Sequence, residues 1–258
     1  MYLNEINWKV KKFSRPFPFA EVDHFLKDEV YKNLESHFPD LDTEGRNNII
    51  VKREYIHLTD KDAAWKGFAS YFVSVEFFDK MCNFYDEDIK FNYPKVHKLI
   101  KKKCLKVGVS GKDTFENFDV LLDFQIGINT AVTQVSSSRG PHLDNRKVFY
   151  VGLCYFKNAN DPTSSGHYTA FEVLNKQPRL GDGRSVSLDQ IKIFAKVEYS
   201  ANRLATFLNT PYSVHGVSER EVTNFERKFF VFNAVMKEDL YSFKRPLWER
   251  VLNKLKRK

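Results

Sequence analysis

Hydrophobic residues recur at every second position along the second half of the chain. In "VLLDFQIGI" (120–128) the repeating positions are Val120, Leu122, Phe124, Ile126 and Ile128. A period of two is typical of a β-strand with one buried face. The pattern continues in "VFYVGLCYF" (148–156), "HYTAFEVL" (167–174), "IKIFAKVEYS" (191–200), "RLATFLN" (203–209) and "RKFFVFNAV" (227–235). Because turn-rich segments rather than helical patterns separate these runs, they predict an antiparallel sandwich or barrel.

The first part of the chain has helical spacing instead. Its first apolar stripe predicts an amphipathic helix that Asp28 caps and Pro39 ends. The members of this stripe are Leu26, Val30, Leu34 and Phe38. Two further stripes, with Ser74 as the cap of the second, predict helices up to about residue 106. Their members are Trp65, Phe68 and Phe72, then Phe78, Met81, Cys82 and Tyr85.

Helices followed by strands indicate an α+β fold, which we expect to form one domain over residues 1–258. The expected parts are a helix-rich N-terminal elaboration (1–115), a β-rich core (116–240) and a basic C-terminal helix or tail (241–258). Hydrophobic residues make up 42% of the chain and aromatic residues 15%. This composition supplies ample material for a packed core and gives no sign of disorder.

The net charge of +8 is only weak support for an acidic partner such as nucleic acid. The lysines are spread among acidic residues rather than confined to one block. The densest basic stretches are "KLIKKKCLK" (98–106) and "NKLKRK" (253–258). Runs of this kind are usually solvated helix faces or tails.

Cysteine usage and hydropathy point to a soluble, cytoplasmic protein with no membrane partner. Cys82, Cys104 and Cys154 are odd in number and scattered, which argues against a disulfide framework or a zinc knuckle. No stretch approaches the roughly 20 apolar residues that a membrane span requires. The N-terminal residues lack the continuous apolar region of a signal peptide.

The candidate chemistry centres on "PHLDN" (141–145), just before the second predicted strand. In an extended segment His142 and Asp144 leave the same face and can bind one ion, while Leu143 points away. His215 follows the predicted strand "RLATFLN" and is the expected third ligand. Two histidines and one carboxylate form the facial triad of non-haem Fe(II) oxygenases, which leaves coordination positions open. An HxD tripeptide alone is weak evidence, so the interpretation depends on the joint occurrence with His215.

A cation opens the last predicted strand, where the sequence reads "FERKFFVFN". Arg227 or Lys228 is suitably placed to pair with the far carboxylate of a dicarboxylic acid. The alternative is that this charge only flanks a strand and protects it from aggregation.

Four segments spread over most of the chain carry a family resemblance. They are "PFPFAEVDHFLKDEVYKNLESHFP" (16–39), "PHLDNRKVFYVGLCYF" (141–156), "SSGHYTAFEV" (164–173) and "NTPYSVHGVSEREVTNFERKFFVFN" (209–233). In this order they resemble the opening strand and helix, the HxD loop, the small-residue turn and the distal-histidine segment of the Fe(II)- and 2-oxoglutarate-dependent dioxygenases. The resemblance is to the prolyl-hydroxylase-like branch. It implies a double-stranded β-helix, or jelly-roll, as the catalytic core, with the N-terminal helices packed on it.

The resemblance also implies roles for individual residues. It makes His142, Asp144 and His215 the iron ligands. It places Arg227 where the family binds the C5 carboxylate of 2-oxoglutarate, and Tyr155 where a strand tyrosine assists; a strand aromatic is otherwise usually core packing. Two departures stand out. The interval between His215 and Arg227 is long, so Lys228 or Arg220 are alternatives, and the turn "SSGHYTA" lacks a second glycine.

The implied activity couples oxidative decarboxylation of 2-oxoglutarate, giving succinate and CO2, to oxidation of a primary substrate. The implied cofactors are Fe(II), 2-oxoglutarate and O2, with ascorbate as a further candidate. Asp144 favours hydroxylation, because halogenating relatives carry a small residue there. A peptidyl side chain or a small molecule is the favoured substrate. Nucleic acid ranks second, because Asn233 stands where the demethylase branch has a second arginine.

A different class of function is also open. A jelly-roll binding or structural module with a degenerate metal site, or a cupin-like metal protein with non-oxidative chemistry, has the same strand pattern. The full set of His142, Asp144, His215 and a downstream cation favours the enzyme, because a binding module need not keep it.

Overall fold

Two β-sheets, built largely from the second half of the chain, form the centre of the fold. The structure, a computed structural model, describes residues 2–39, 48–51 and 62–243, with side chains described outside 48–51. Most of the predicted basic C-terminal segment, from residue 244 onward, lies outside the described residues.

The strands and helices follow one another in a mixed order. The strands are β1 Lys9–Phe13, β2 Phe19–Asp23, β3 Asn48–Val51, β4 Val107–Val109, β5 Val120–Asn129, β6 Val148–Phe156, β7 Tyr168–Val173, β8 Ile191–Val197, β9 Leu204–Leu208, β10 His215–Val217 and β11 Arg227–Met236. The helices are α1 Asp28–Ser36, α2 Ala63–Phe72, α3 Val75–Phe84, α4 Asp86–Asn92 and α5 Pro94–Lys101. Strands β5 to β9 and β11 are those that the period of two predicted.

The larger sheet has the strand order β1, β2, β9, β6, β11, β5, β3, and β4 pairs with β5 in parallel. The other pairs in this sheet are antiparallel. The longest register joins β11 to β5, from Arg227 opposite Asn129 to Met236 opposite Val120. Arg227 therefore enters the sheet at the end of a central strand.

The smaller sheet has the strand order β10, β7, β8. His142 extends it, because its backbone bridges His215 on one side and Ser185 on the other. Strand β10 pairs with β7 so that His215 lies opposite Ala170. Two packed antiparallel sheets with helices added at the N-terminal side confirm the predicted α+β class with a jelly-roll core.

Both faces of the larger sheet are covered. One face packs against the helices in an apolar cluster that includes Phe68 and Phe230. The other face packs against the smaller sheet, where Phe207 meets Tyr168. This double coverage explains why β5 and β9 are buried at almost every position instead of at alternate ones.

The helices confirm the predicted stripe of Trp65, Phe68 and Phe72, whereas Leu26 and Phe38 of the first stripe lie outside α1, and one predicted cap is corrected. The stripe of α2 is at most 1% exposed and consists of Trp65, Phe68 and Phe72. Ser74 caps α3, because its hydroxyl accepts a hydrogen bond from Phe77 N at 3.2 Å. The prediction that Asp28 caps α1 is wrong, since Lys27 is the N-cap residue and Asp28 the first helical residue. There the carboxylate of Asp28 still interacts favourably with the helix dipole.

Strands β1 to β4 lie within the region that the sequence pattern predicted as mainly helical. β1 shows no alternation, because four of its five residues are exposed at the sheet edge. β10 has only three residues, which is too short to show a period. Within the described ranges, no helix has the length and apolar character needed to cross a membrane.

Candidate metal centre

His142, Asp144 and His215 meet because the HxD segment pairs with β10. His142 N donates to His215 O at 2.9 Å, and His215 N donates to His142 O at 3.0 Å. This pairing puts the two imidazoles side by side, with ring centroids 4.3 Å apart. Leu143 points the other way, as predicted, into an apolar cluster with Val186 and other residues behind the smaller sheet.

The three side chains direct ligand atoms at one point. His142 Nε2 lies 3.6 Å from Asp144 Oδ1, and His215 Nε2 lies 3.7 Å from Asp144 Oδ2. One ligand atom from each residue can be chosen so that all three lie within 4.8 Å of one another. Atoms at this spacing can bind a single ion, as the sequence predicts for these residues.

Backbone carbonyls fix the orientation of both imidazoles. His142 Nδ1 donates to Gly140 O, and His215 Nδ1 donates to Ser213 O, each at 2.9 Å. A carbonyl only accepts hydrogen bonds, so the hydrogen of each neutral ring resides on Nδ1. The lone pair on each Nε2 is then directed towards Asp144, which is the tautomer that a metal requires.

The charges in the cluster also suit a cation. Burial would raise the pKa of Asp144, but the nearby His215, His142 and Arg139 hold it well below its ordinary range. Burial, reinforced by His142, lowers the pKa of His215 to about 4, although Asp144 opposes this shift. At neutral pH the site therefore presents an ionised carboxylate and a neutral His215 imidazole.

Arg227 is a buried cation for which the described part of the chain shows no ion-pair partner. Its side chain is about 1% exposed. Its guanidinium carbon lies 4.2 Å from the ring centre of Tyr155 and 4.8 Å from that of Tyr199. Among the described residues, none of its three side-chain nitrogens has a hydrogen-bond acceptor. A desolvated charge of this kind is costly unless a ligand pairs with it.

The phenol rings of Tyr155 and Tyr199 flank this cation, and Tyr168 lies nearer to His215. The buried hydroxyls of Tyr155, Tyr168 and Tyr199 also lack hydrogen-bond partners within the described part of the chain. Burial raises the pKa of Tyr155, with partial opposition from Arg227, and raises that of Tyr199 to about 12. The phenols are therefore protonated donors at neutral pH. Unsatisfied donors around a guanidinium fit an acidic ligand with several oxygen acceptors.

The structure separates the three cations that the sequence left as alternatives. Arg220 donates to the backbone carbonyls of Thr130 and Phe225. Lys228 follows Arg227 on the strand, so its side chain leaves the opposite face. There its Nζ lies 5.2 Å from the ring centre of Phe38, and it lines a separate cavity of about 820 Å³. Of these three, only Arg227 combines burial with unsatisfied donors.

Sequence reasoning missed Tyr168, Tyr199 and Gly166. A Cβ on Gly166 would lie 2.8 Å from Arg227 Nη1, and its φ of +76° favours glycine. The residue after it, His167, accepts a hydrogen bond on Nδ1 from Tyr199 N at 3.2 Å. The signal available in the sequence was the position of Gly166 just before the predicted strand that carries Tyr168.

Fold and cluster together define a jelly-roll protein with a two-histidine, one-carboxylate site. No protein-family model and no curated protein matches the sequence. Several solved structures are similar to it. A prolyl 4-hydroxylase from Phytophthora capsici is 13% identical, with 93% of this chain and 68% of that chain covered and a TM-score of 0.45.

Two further solved structures are also similar to the chain. HygX from Streptomyces hygroscopicus, solved with nickel and 2-oxoglutarate bound, is 12% identical, with 85% and 83% of the two chains covered and a TM-score of 0.44. A Trichoplax adhaerens prolyl hydroxylase in complex with a hypoxia inducible factor peptide is 13% identical, with 86% and 85% covered and a TM-score of 0.41.

Proposed function

We propose that the chain is an Fe(II)- and 2-oxoglutarate-dependent dioxygenase that hydroxylates a primary substrate. The observation that supports this most is the buried guanidinium of Arg227, which has no hydrogen-bond acceptor among the described residues, in a fold that also forms the His142, Asp144 and His215 cluster. A metal triad alone suits many reactions, and a buried cation alone has no explanation. A keto acid that binds a metal at one end and carries a second carboxylate at the other accounts for both.

In this proposal His142, Asp144 and His215 hold Fe(II), while Arg227 and Tyr155 bind the C5 carboxylate of 2-oxoglutarate. Bound Fe(II), with 2-oxoglutarate and O2, would supply the oxidative decarboxylation to succinate and CO2 and the oxidation of the substrate, with ascorbate as a candidate reductant. The carboxylate of Asp144 fills a ligand position, which favours hydroxylation over halide transfer.

The chain itself orients the proposed ligand-binding side chains and keeps them buried. The carbonyls of Gly140 and Ser213 hold the two imidazoles in the ligating tautomer. Two aromatic rings fix the plane of the Arg227 guanidinium, so little side-chain entropy is lost when it binds a carboxylate. Burial strengthens that ion pair, because it has little competition from water.

We place the primary substrate on the Arg139 side of the triad. The Arg139 side chain is 51% exposed, and its Nη2 lies 3.9 Å from Asp144 Oδ1. Ser137, just before it in the chain, is held to strand β10 of the smaller sheet, since its Oγ donates to Val217 O at 2.7 Å. A rim of short polar side chains with one cation suits a peptidyl side chain or a polar small molecule, with nucleic acid as the second candidate.

Anaerobic absorption spectroscopy tests the proposed function. Addition of Fe(II) and 2-oxoglutarate to metal-free protein should produce the metal-to-ligand charge-transfer band of a chelated keto acid. His215→Ala should abolish the band. His97→Ala, which removes a histidine paired with Asp86 at the surface, should retain it. Absence of the band in the wild type, or its persistence in His215→Ala, would contradict the proposal.

A further inference from the structure

One face of β7 runs from the metal cluster to Arg227. Ala170 lies opposite His215, and Tyr168 lies opposite Val217, in the register between β7 and β10. Two residues earlier, Gly166 N donates to Glu219 O, and a Cβ there would touch Arg227 Nη1. At about 3.3 Å per residue, roughly 13 Å separates the Cα atoms of Ala170 and Gly166. Tyr168 stands midway.

The residues at the two ends of this face are small, whereas the one in the middle is a phenol. The ring of Tyr168 stacks on the His215 ring at 5.6 Å with an interplanar angle of 21°. It also stacks on Phe207 at 6.0 Å. These contacts fix the ring and leave its hydroxyl as the part that can interact with a ligand.

The hydroxyl of Tyr168 lacks a partner of its own. The residue is 4% exposed, and no described residue offers a hydrogen-bond partner to its oxygen. A phenol carries its hydrogen at neutral pH and can donate it to an acceptor. A buried donor left unsatisfied lowers stability unless an acceptor is brought in from outside.

We infer that the Tyr168 hydroxyl donates a hydrogen bond to a carboxylate or keto oxygen of the bound keto acid. The inference rests on the proposed function and adds a positioning residue to that site. Ring stacking on His215 couples the position of the hydroxyl to a metal ligand. Tyr168 would thereby set how the acid approaches the metal, in addition to how tightly it binds.

Tyr168→Phe isolates the hydroxyl, because the ring and its stacking remain. Calorimetric titration of 2-oxoglutarate into anaerobic Fe(II) protein should give binding about tenfold weaker than wild type, and the charge-transfer maximum should shift. Fe(II) affinity without the acid should not change. Tyr71→Phe is the matched control, since it removes an unpartnered buried hydroxyl from α2 and should leave 2-oxoglutarate binding and the band unchanged.

Thermal unfolding separates positioning from a merely structural role. Tyr168→Phe without metal or acid should unfold at the wild-type temperature or slightly above it, because an unsatisfied donor has been removed. The stabilisation by Fe(II) with 2-oxoglutarate should shrink. A variant that is destabilised alone yet keeps the full ligand-induced shift would overturn the inference.

A Tyr168→Phe variant with wild-type affinity for 2-oxoglutarate and an unshifted charge-transfer band would also overturn the inference. In that case the presence of the band in the wild-type protein would still support the proposed function. A wild-type protein without the band would remove both.

Discussion

At the scale of single residues, Arg227 and His215 are both buried polar side chains whose surroundings in the folded chain suit a ligand. Arg227 is buried without a hydrogen-bonded acceptor among the described residues. His215 gives up its proton, because burial lowers its pKa to about 4. Both conditions reduce stability and suit ligand binding, because a buried guanidinium can pair with an anion and a neutral imidazole can bind a metal.

The shifted His215 predicts a pH dependence of stability in the metal-free protein. Its pKa falls from 6.5 to about 4 on folding, so between these values the unfolded chain binds a proton that the folded chain does not. The free energy of unfolding should therefore fall as the pH drops from 6.5 towards 4, by about 3 kcal/mol at most. Urea denaturation across this range measures the effect.

His215→Gln is the control for this dependence, because glutamine does not titrate. Asp144 stays ionised throughout the window, since its pKa is held well below its ordinary range. The variant should lose most of the slope between pH 6.5 and 4. An equal slope in both proteins would show that other groups cause it.

At the scale of elements, the start of β7 carries more of the site than its sequence suggests. Gly166 has a positive φ, and its missing side chain leaves space for the guanidinium of Arg227. The next same-face residue, Tyr168, turns an aromatic ring towards His215. This short stretch therefore lies against both His215 and Arg227.

Gly166→Ala should weaken 2-oxoglutarate binding, because the new Cβ would crowd both Arg220 Cγ and Arg227 Nη1 and the φ of +76° is strained for alanine. We expect a loss of about tenfold or more in affinity by calorimetry, with Fe(II) affinity little changed. Gly183→Ala is the matched control, since its φ of +60° is similar and a Cβ there meets nothing within 4 Å. Equal affinities of the two variants would show that the close contact at Gly166 has no role in binding.

The sequence predicted elements and residues unequally, for physical reasons. Strands β5 and β11 are long enough to show a period, whereas the three-residue β10 is not, so His215 was expected after a strand and instead begins one. Because side chains alternate between the two faces of an extended segment, the sequence alone predicted that His142 and Asp144 share one face. It did not distinguish Arg227 from Lys228, which are adjacent and point to opposite faces. That choice depends on what covers each face.

At the scale of the molecule, the two sheets supply different parts of the candidate site. The metal cluster belongs to the smaller sheet and its HxD extension, while Arg227 and Tyr155 belong to β11 and β6 of the larger one. The helices take no direct part in the cluster. They cover the outer face of the larger sheet and thereby keep the strand that carries Arg227 buried. A ligand held at both ends would join the two sheets.

The most direct measurement compares two keto acids on Fe(II) protein under anaerobic conditions. 2-Oxoglutarate has the second carboxylate, and 2-oxobutyrate lacks it while keeping the metal-binding end. Wild-type protein should prefer 2-oxoglutarate by at least about thirtyfold in calorimetric affinity, because the buried cation needs its partner. Arg227→Met should abolish the preference by weakening only the 2-oxoglutarate complex. A preference that survives in Arg227→Met would contradict the claim that the triad and Arg227 hold opposite ends of one molecule.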